Sequence, residues 1–305
     1  MNVLEIADLH MSFGNNKVLR GLNMEIPENS VFGFVGRNGA GKTTTMKIVL
    51  GLLKAQCGFV KVCGEEVRYG ATRTNRHIGY LPDVPEFYSY MKPMEYLRLC
   101  GEITGLSSAL IKDRSRELLE LVGLDGVNRK ISGFSRGMKQ RLGIAQALLN
   151  EPRLLICDEP TSALDPIGRR QILDILSAMR GKTTVVFSTH ILSDVESICD
   201  RIAVLEQGEL VLSGTLAEIQ KQHRRNSYHI RFASDGEAEE FSQTEELKRE
   251  GVELEREGCS LTISVSDVSV GAQELIDLLS RKSMAPERFE VLEPTLESLF
   301  TEVVQ

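Results

Sequence analysis

The chain has 305 residues, 42% of them hydrophobic and 26% charged, with no Trp and a mean hydropathy of −0.12. That balance describes one large or two ordinary folded domains and excludes a disordered chain, while no apolar run reaches the roughly 18 residues that a membrane span needs. The net charge of −7, from 36 Lys+Arg against 43 Asp+Glu, has the wrong sign for a protein that coats nucleic acid, so no nucleic-acid partner is expected.

The first ten residues, MNVLEIADLH, carry acids where a secretory leader carries a basic segment, which predicts a cytoplasmic location. Val31 to Val35 is a short apolar run that reads as a buried strand, and a helical pattern from Lys42 places Met46, Val49, Leu50 and Leu53 on one face. Between them stands Gly36-Arg37-Asn38-Gly39-Ala40-Gly41-Lys42-Thr43, a G-x-x-x-x-G-K-[ST] sequence in the strand–loop–helix setting that this motif requires. Its glycines let backbone N–H groups converge on phosphates. Lys42 reaches the β- and γ-phosphates, and the Thr43 hydroxyl is a ligand for Mg²⁺.

Ile78 to Asp83 reads as another strand and its exit. Residues 87–134 read as helices, with Tyr96, Leu97, Leu99 and Ile103 on one face and Leu110, Leu118, Leu119 and Val122 on a second. Phe87, Tyr88 and Tyr90 are candidates either for core packing or for a contact surface. Ser135 is a candidate N-cap for a helix whose stripe is Leu142, Ala145, Leu148 and Leu149, and Gly137 allows close backbone approach; a capped surface helix would satisfy the same residues. Leu154 to Asp158 is a buried strand ending in an acid. With the upstream loop present, Asp158 is suited to hold Mg²⁺ through water and Glu159 to polarise an attacking water. Lys182 to His190 reads as a β-branched strand that delivers His190, and the six cysteines include no C-x-x-C pair and read as small buried apolar residues of a reducing compartment.

Charge divides the chain near Gln222. Residues 1–222 carry 27 basic and 25 acidic side chains, whereas 223–305 carry 9 and 18. KQHRRNS (221–227) reads as a linker, and the strand and helix patterns after Tyr228 predict a small α+β domain with a solvated acidic surface.

The order of these motifs resembles the ATP-binding subunit of ATP-binding cassette (ABC) transporters over about residues 2–220. The resemblance implies an α/β fold, a P-loop NTPase of ABC type with a mixed sheet core and a helical subdomain at about 87–150, in a domain spanning 1–222 and followed by the small domain at 223–305. It implies ATP and Mg²⁺ as ligands, with Phe13 stacked on adenine and Gly36, Arg37, Asn38, Gly39, Ala40, Gly41, Lys42, Thr43 and Thr44 around the phosphates. Thr43, Asp83 and Asp158 would face the metal, and Glu159, His190 and Lys42 would carry hydrolysis. Phe134-Ser135-Arg136-Gly137-Met138 stands where the family has its signature, so Ser135 and Gly137 would serve ATP held by a second ATP-binding subunit packed head to tail, with Asp165 joining the two sites.

Two departures from the family's pattern stand out. Asp83 replaces the usual Gln, and the signature carries Arg136 for Gly and Met138 for Gln. Glu293 to Phe300 resembles the tail of cassettes that serve ABC-2 membrane subunits, which implies export. The expected protein is therefore an ATPase peripheral to the cytoplasmic face of the membrane, working with a separate transmembrane permease. Its rivals are a ribosome- or DNA-associated ABC ATPase and a regulatory ATP-binding module.

Overall fold

The computed structural model describes residues 1–222, 226–249, 251–265, 271–292 and 296. The chain divides into two compact units, Met1–Leu216 and Ala217–Gln305.

In the first unit, β1 (Asn2–Phe13) and β2 (Asn16–Pro27) form an antiparallel hairpin. β3 (Val31–Val35) then leads into α1 (Lys42–Val49). β4 (Cys57–Val62) and β5 (Glu65–Glu66) complete an antiparallel sheet of order β2-β1-β4-β5. After β6 (Ile78–Leu81) come α2 (Pro93–Ile103), α3 (Ser108–Leu121) and α4 (Arg136–Leu148), which pack on one another. The remaining elements are β7 (Leu154–Asp158), α5 (Pro166–Ser177), β8 (Thr184–Thr189), α6 (Leu192–Ile198), β9 (Arg201–Glu206) and β10 (Glu209–Thr215).

The second sheet has the order β10-β9-β3-β8-β7-β6, parallel from β9 to β6 with an antiparallel β10 at one edge. Every residue of β3, β7 and β8 is buried, the pattern of parallel strands covered on both faces. Phe32, Phe34, Ile156 and Val186 of this sheet share one apolar core with Leu9, Leu22 and Val60 of the other. Parallel strands of this kind open their carboxyl ends onto a crevice, and β3, β6, β7 and β8 each release a loop there.

The helical faces match expectation at Tyr96, Leu97, Leu119 and Val122, which are buried, and differ from it at two positions. Ile103 is 75% exposed and Leu110 is exposed, while the buried stripes are Tyr96, Leu97 and Gly101 on α2 and Ile111, Ser115 and Leu119 on α3. The cause is a close crossing: a Cβ on Gly101 would lie 2.6 Å from Ile111 Cγ1, so Ile111 fixes the rotation of α3, and Ile103, two residues past Gly101, falls on the far side of α2. The cysteines also differ from expectation. Cys157 and Cys199 are buried, Cys57 is exposed, and the other three are partly covered.

At the boundary runs α7 (Leu216–Gln222). The second unit continues with β11 (Asn226–Arg231), α8 (Asp235–Ser242), β12 (Val252–Glu257), β13 (Ser260–Val265), α9 (Ala272–Arg281) and β14 (Arg288–Leu292). Its sheet order, β12-β13-β11-β14, is antiparallel throughout, the split β-α-β-β-α-β arrangement. Tyr228, Ile230, Phe232, Leu261 and Ile263 meet Phe241, Leu275 and Leu278 in a core of its own. Of the expected linker 221–227, residues 223–225 lie outside the described residues, and so does the closing segment 293–300 apart from Leu296.

Candidate active site

Gly36 leaves β3 where the sheet leaves no room for a side chain, since a Cβ there would stand 2.4 Å from the Leu205 carbonyl oxygen. Gly41 has φ 115°, a left-handed conformation that glycine adopts without strain, and starts α1. The loop between them curls around the Lys42 side chain. Lys42 is buried, and its Nζ donates to the carbonyl oxygens of Gly36 at 2.6 Å and Arg37 at 3.2 Å. The same Nζ lies 3.2 Å from Glu159 Oε1.

The loop after β7 supplies the acids. Thr43 Oγ1 donates to Asp158 Oδ2 at 2.8 Å, and Ser188 Oγ donates to Asp158 Oδ1 at 2.6 Å. The Glu159 N–H is held by the Ser188 hydroxyl at 3.0 Å. Glu159 has φ 47°, a left-handed conformation that costs a non-glycine residue about 1–3 kcal/mol and recurs where function fixes a side chain. From that position its Oε2 meets His190 Nδ1, just past β8, at 2.9 Å. Burial first, and then the charge of Asp158, push the Tyr80 phenol up to about 12, so it stays neutral beside these acids.

A cavity of about 550 Å³ opens at this point. Its walls include the predicted residues Asn38, Gly39, Gly41, Lys42, Thr43, Thr44, Asp83, Glu159 and His190. Asp158 stands behind Thr43, and Ala40 is buried within the loop. Arg37 is exposed on the same loop. Phe13, 51% exposed at the end of β1, is not among the lining residues, although Asn16 and Val18 across the hairpin are. Ser135, Gly137 and Asp165 also lie outside the lining. Ser135 caps α4 by accepting from Met138 N at 3.3 Å, Gly137 has its nearest obstacle at 3.8 Å, and Asp165 caps α5 by accepting from Gly168 N at 2.7 Å. Asp83 lines the cavity with its Oδ1 3.2 Å from Arg136 Nη2.

Sequence reasoning missed Ser188, which ties together both acids; its signal is a hydroxyl inside a fully buried strand two residues before His190. It also missed the buried Asp194 of α6, which accepts from Thr161 Oγ1 at 2.7 Å and from Arg169 Nε, tying the segment after Glu159 to the helix after His190.

Nucleotide chemistry of the ABC kind fits this arrangement, and the comparisons with known proteins agree. The family model described as ABC transporter matches residues 19–162, and that of the ATP-binding protein DrrA1-3-like, C-terminal domain, matches 214–304. The chain is 36% identical over 305 residues to an uncharacterized ABC transporter ATP-binding protein, YxlF of Bacillus subtilis (strain 168), covering 99% of each chain. It is 33% identical over 312 residues to the bacitracin transport ATP-binding protein BcrA of Enterococcus faecalis, covering 99% of this chain and 96% of that one. A solved ATP-binding subunit of an ABC transporter superimposes with a TM-score of 0.65 at 33% identity, over 72% of this chain and 92% of that one.

The chain belongs to the ABC transporter ATP-binding proteins. It is an ATP-binding ATPase subunit of a transporter, and the non-transport alternatives are not favoured. No helix among the described residues is long and apolar enough to cross a membrane.

Proposed function

We propose that ATP is hydrolysed with its phosphates in the 550 Å³ cavity, by Glu159 acting on water, in a dimer where each site is completed by the signature segment of the other copy. The observation that carries this reading is the convergence on Glu159. Lys42 and His190, from two different strand exits, approach its two carboxylate oxygens at 3.2 and 2.9 Å. A triphosphate seated on the loop competes for both partners, since Lys42 and His190 are also the groups suited to its terminal phosphates. Glu159 is then freed to accept a proton from water.

The donor set also fits Mg²⁺. Thr43 Oγ1 and Asp158 Oδ2 stand 2.8 Å apart, and among the described residues no cluster of three or more His, Cys, Asp or Glu offers an all-protein cage. Mg²⁺ ordinarily takes only one or two carboxylates and completes its shell with phosphate oxygens and water. Bound there, it would neutralise charge developing on the phosphates. Thr43 and Asp158 are its proposed ligands, and Asp83 stands on the cavity wall, paired with Arg136.

Ser135 and Gly137 serve a neighbouring copy in this scheme. Their exclusion from the lining of their own cavity supports it. Asp165, exposed at the start of α5, joins the two sites, and Phe13 offers a half-exposed ring to adenine.

ABC ATP-binding proteins work with a transmembrane subunit. We assign the cytoplasmic face as the docking side, with Tyr88 and Tyr90, 55% and 64% exposed, available there while Phe87 packs edge-on against Tyr96 at 5.0 Å. Export is the direction implied by the resemblance of residues 293–300. The residues 1–222 form the motor in this reading and 223–305 an accessory domain.

The test is Glu159→Gln. It should keep ATP binding and lose phosphate release by about a hundredfold or more, as expected for loss of a general base. Turnover at the parent rate would remove Glu159 from this role.

A further inference from the structure

Asp83 lines two hollows at once: the 550 Å³ cavity, with Lys42 and Thr43, and a neighbouring groove of about 430 Å³ formed with Phe87 and Arg136. Two residues one turn apart on α4 hold it. Arg136 Nη2 lies 3.2 Å from its Oδ1, and the fully buried Gln140 donates from Nε2 to its carbonyl oxygen at 2.6 Å. Asp83 and Arg136 are also both positions where the sequence departs from the family's pattern, 53 residues apart in the chain. In the fold the two departures meet as an ion pair.

A carboxylate on the wall of a triphosphate cavity repels the ligand, whereas the amide usual at that position does not. Both side chains are nearly half exposed, 42% for Arg136 and 47% for Asp83, and such pairs contribute little to stability. Charge placement is therefore the more informative role. We propose that Arg136 is a positioning residue for nucleotide binding: it neutralises Asp83 and keeps that carboxylate engaged with α4, so that ATP enters a cavity whose wall carries no uncompensated charge.

The proposal rests on the nucleotide reading of the cavity, and the experiment separates the two. ATP affinity is measured by calorimetric titration of the full chain at low ionic strength, with and without Mg²⁺, for Arg136→Gln, Asp83→Gln and the double variant. Thermal unfolding checks that each is folded. Arg136→Gln alone should weaken ATP binding about fivefold, the scale of an exposed charge pair, and the deficit should shrink as salt rises. In the Asp83→Gln background the same substitution should change affinity by less than about twofold, because the charge it would unmask is gone. Unchanged affinity in Arg136→Gln would overturn the proposal, as would an equal loss in both backgrounds, which would make Arg136 a support of α4 independent of Asp83. Lys42→Ala tests the reading beneath it: if that variant still binds ATP at parent affinity, the cavity is not the nucleotide site.

Discussion

The two units of this chain treat polar groups in opposite ways. The first buries Lys42, Asp158, Asp194, Gln140 and Ser188 and holds Glu159 and Ala163 in left-handed conformations, most of it close to one set of strand exits. The second, among its described residues, buries only one polar side chain, Thr244, and alternates cleanly, with Leu261, Ile263 and Val265 inside and Glu253, Glu255 and Glu257 exposed on β12. Buried charge is tolerated only when paired, and strained backbone only when its surroundings fix it. A region that gathers buried, paired charge at its strand exits is organised for chemistry, and one that buries almost no polar side chain is organised for packing and surface contact. The −7 of the whole chain hides this contrast, since the first 222 residues are close to neutral and the last 83 carry the acidity.

The contrast can be broken at its polar end by Ser188→Ala. That hydroxyl bonds both Asp158 and the Glu159 N–H and is itself assigned no contact with ATP or Mg²⁺, so its loss should lower phosphate release about tenfold to a hundredfold, the range for groups that orient metal-binding residues. Turnover within twofold of the parent would mean that the acids are held by something else. At the apolar end, Phe232→Ala empties a fully buried site beside Phe241, whose ring centroid lies 5.3 Å away. Unfolding should show the second unit destabilised by about 3–5 kcal/mol, with ATP affinity unchanged because none of its described residues lines the cavity. A parallel fall in ATP affinity would contradict the division of labour.

The smallest effect concerns thiol chemistry. Burial pushes the Cys157 and Cys199 thiols up, which disfavours the reactive thiolate in the folded chain, whereas Cys57 is exposed. At pH 8 a thiol reagent should label Cys57 quickly, and Cys157 and Cys199 only after unfolding. Raising the pH moderately should not change that order. Labelling of Cys157 at the rate of Cys57 would show that β7 is not the buried strand described above.

How much of this was legible in the sequence varies with the range of the interaction. The glycine loop, β3, β7 and β8 were readable because a short apolar run followed by its loop is a local pattern, and the Ser135 cap needs only three residues to be recognised. On the helices Tyr96, Leu97, Leu119 and Val122 are buried as the periodicity predicts, whereas the exposure of Ile103 and Leu110 is not legible, because the crossing of Gly101 and Ile111 is tertiary and propensity carries no record of it. Ser188 looked like an ordinary strand residue, since its importance comes from β7 lying beside β8. The meeting of Asp83 with Arg136 was invisible for the same reason: each was noticed as a departure, but only the packing of α4 beside β6 joins them.

The central claim is that a catalytic site takes its loop and acids from one copy and its signature segment from another. Phosphate release per chain, measured from low to high concentration of the purified protein, tests it most directly. The account predicts a specific activity that rises with concentration and then levels off, and that is restored when a Glu159→Gln chain is mixed with one altered at Ser135 and Gly137. A specific activity independent of concentration, with no restoration on mixing, would contradict it.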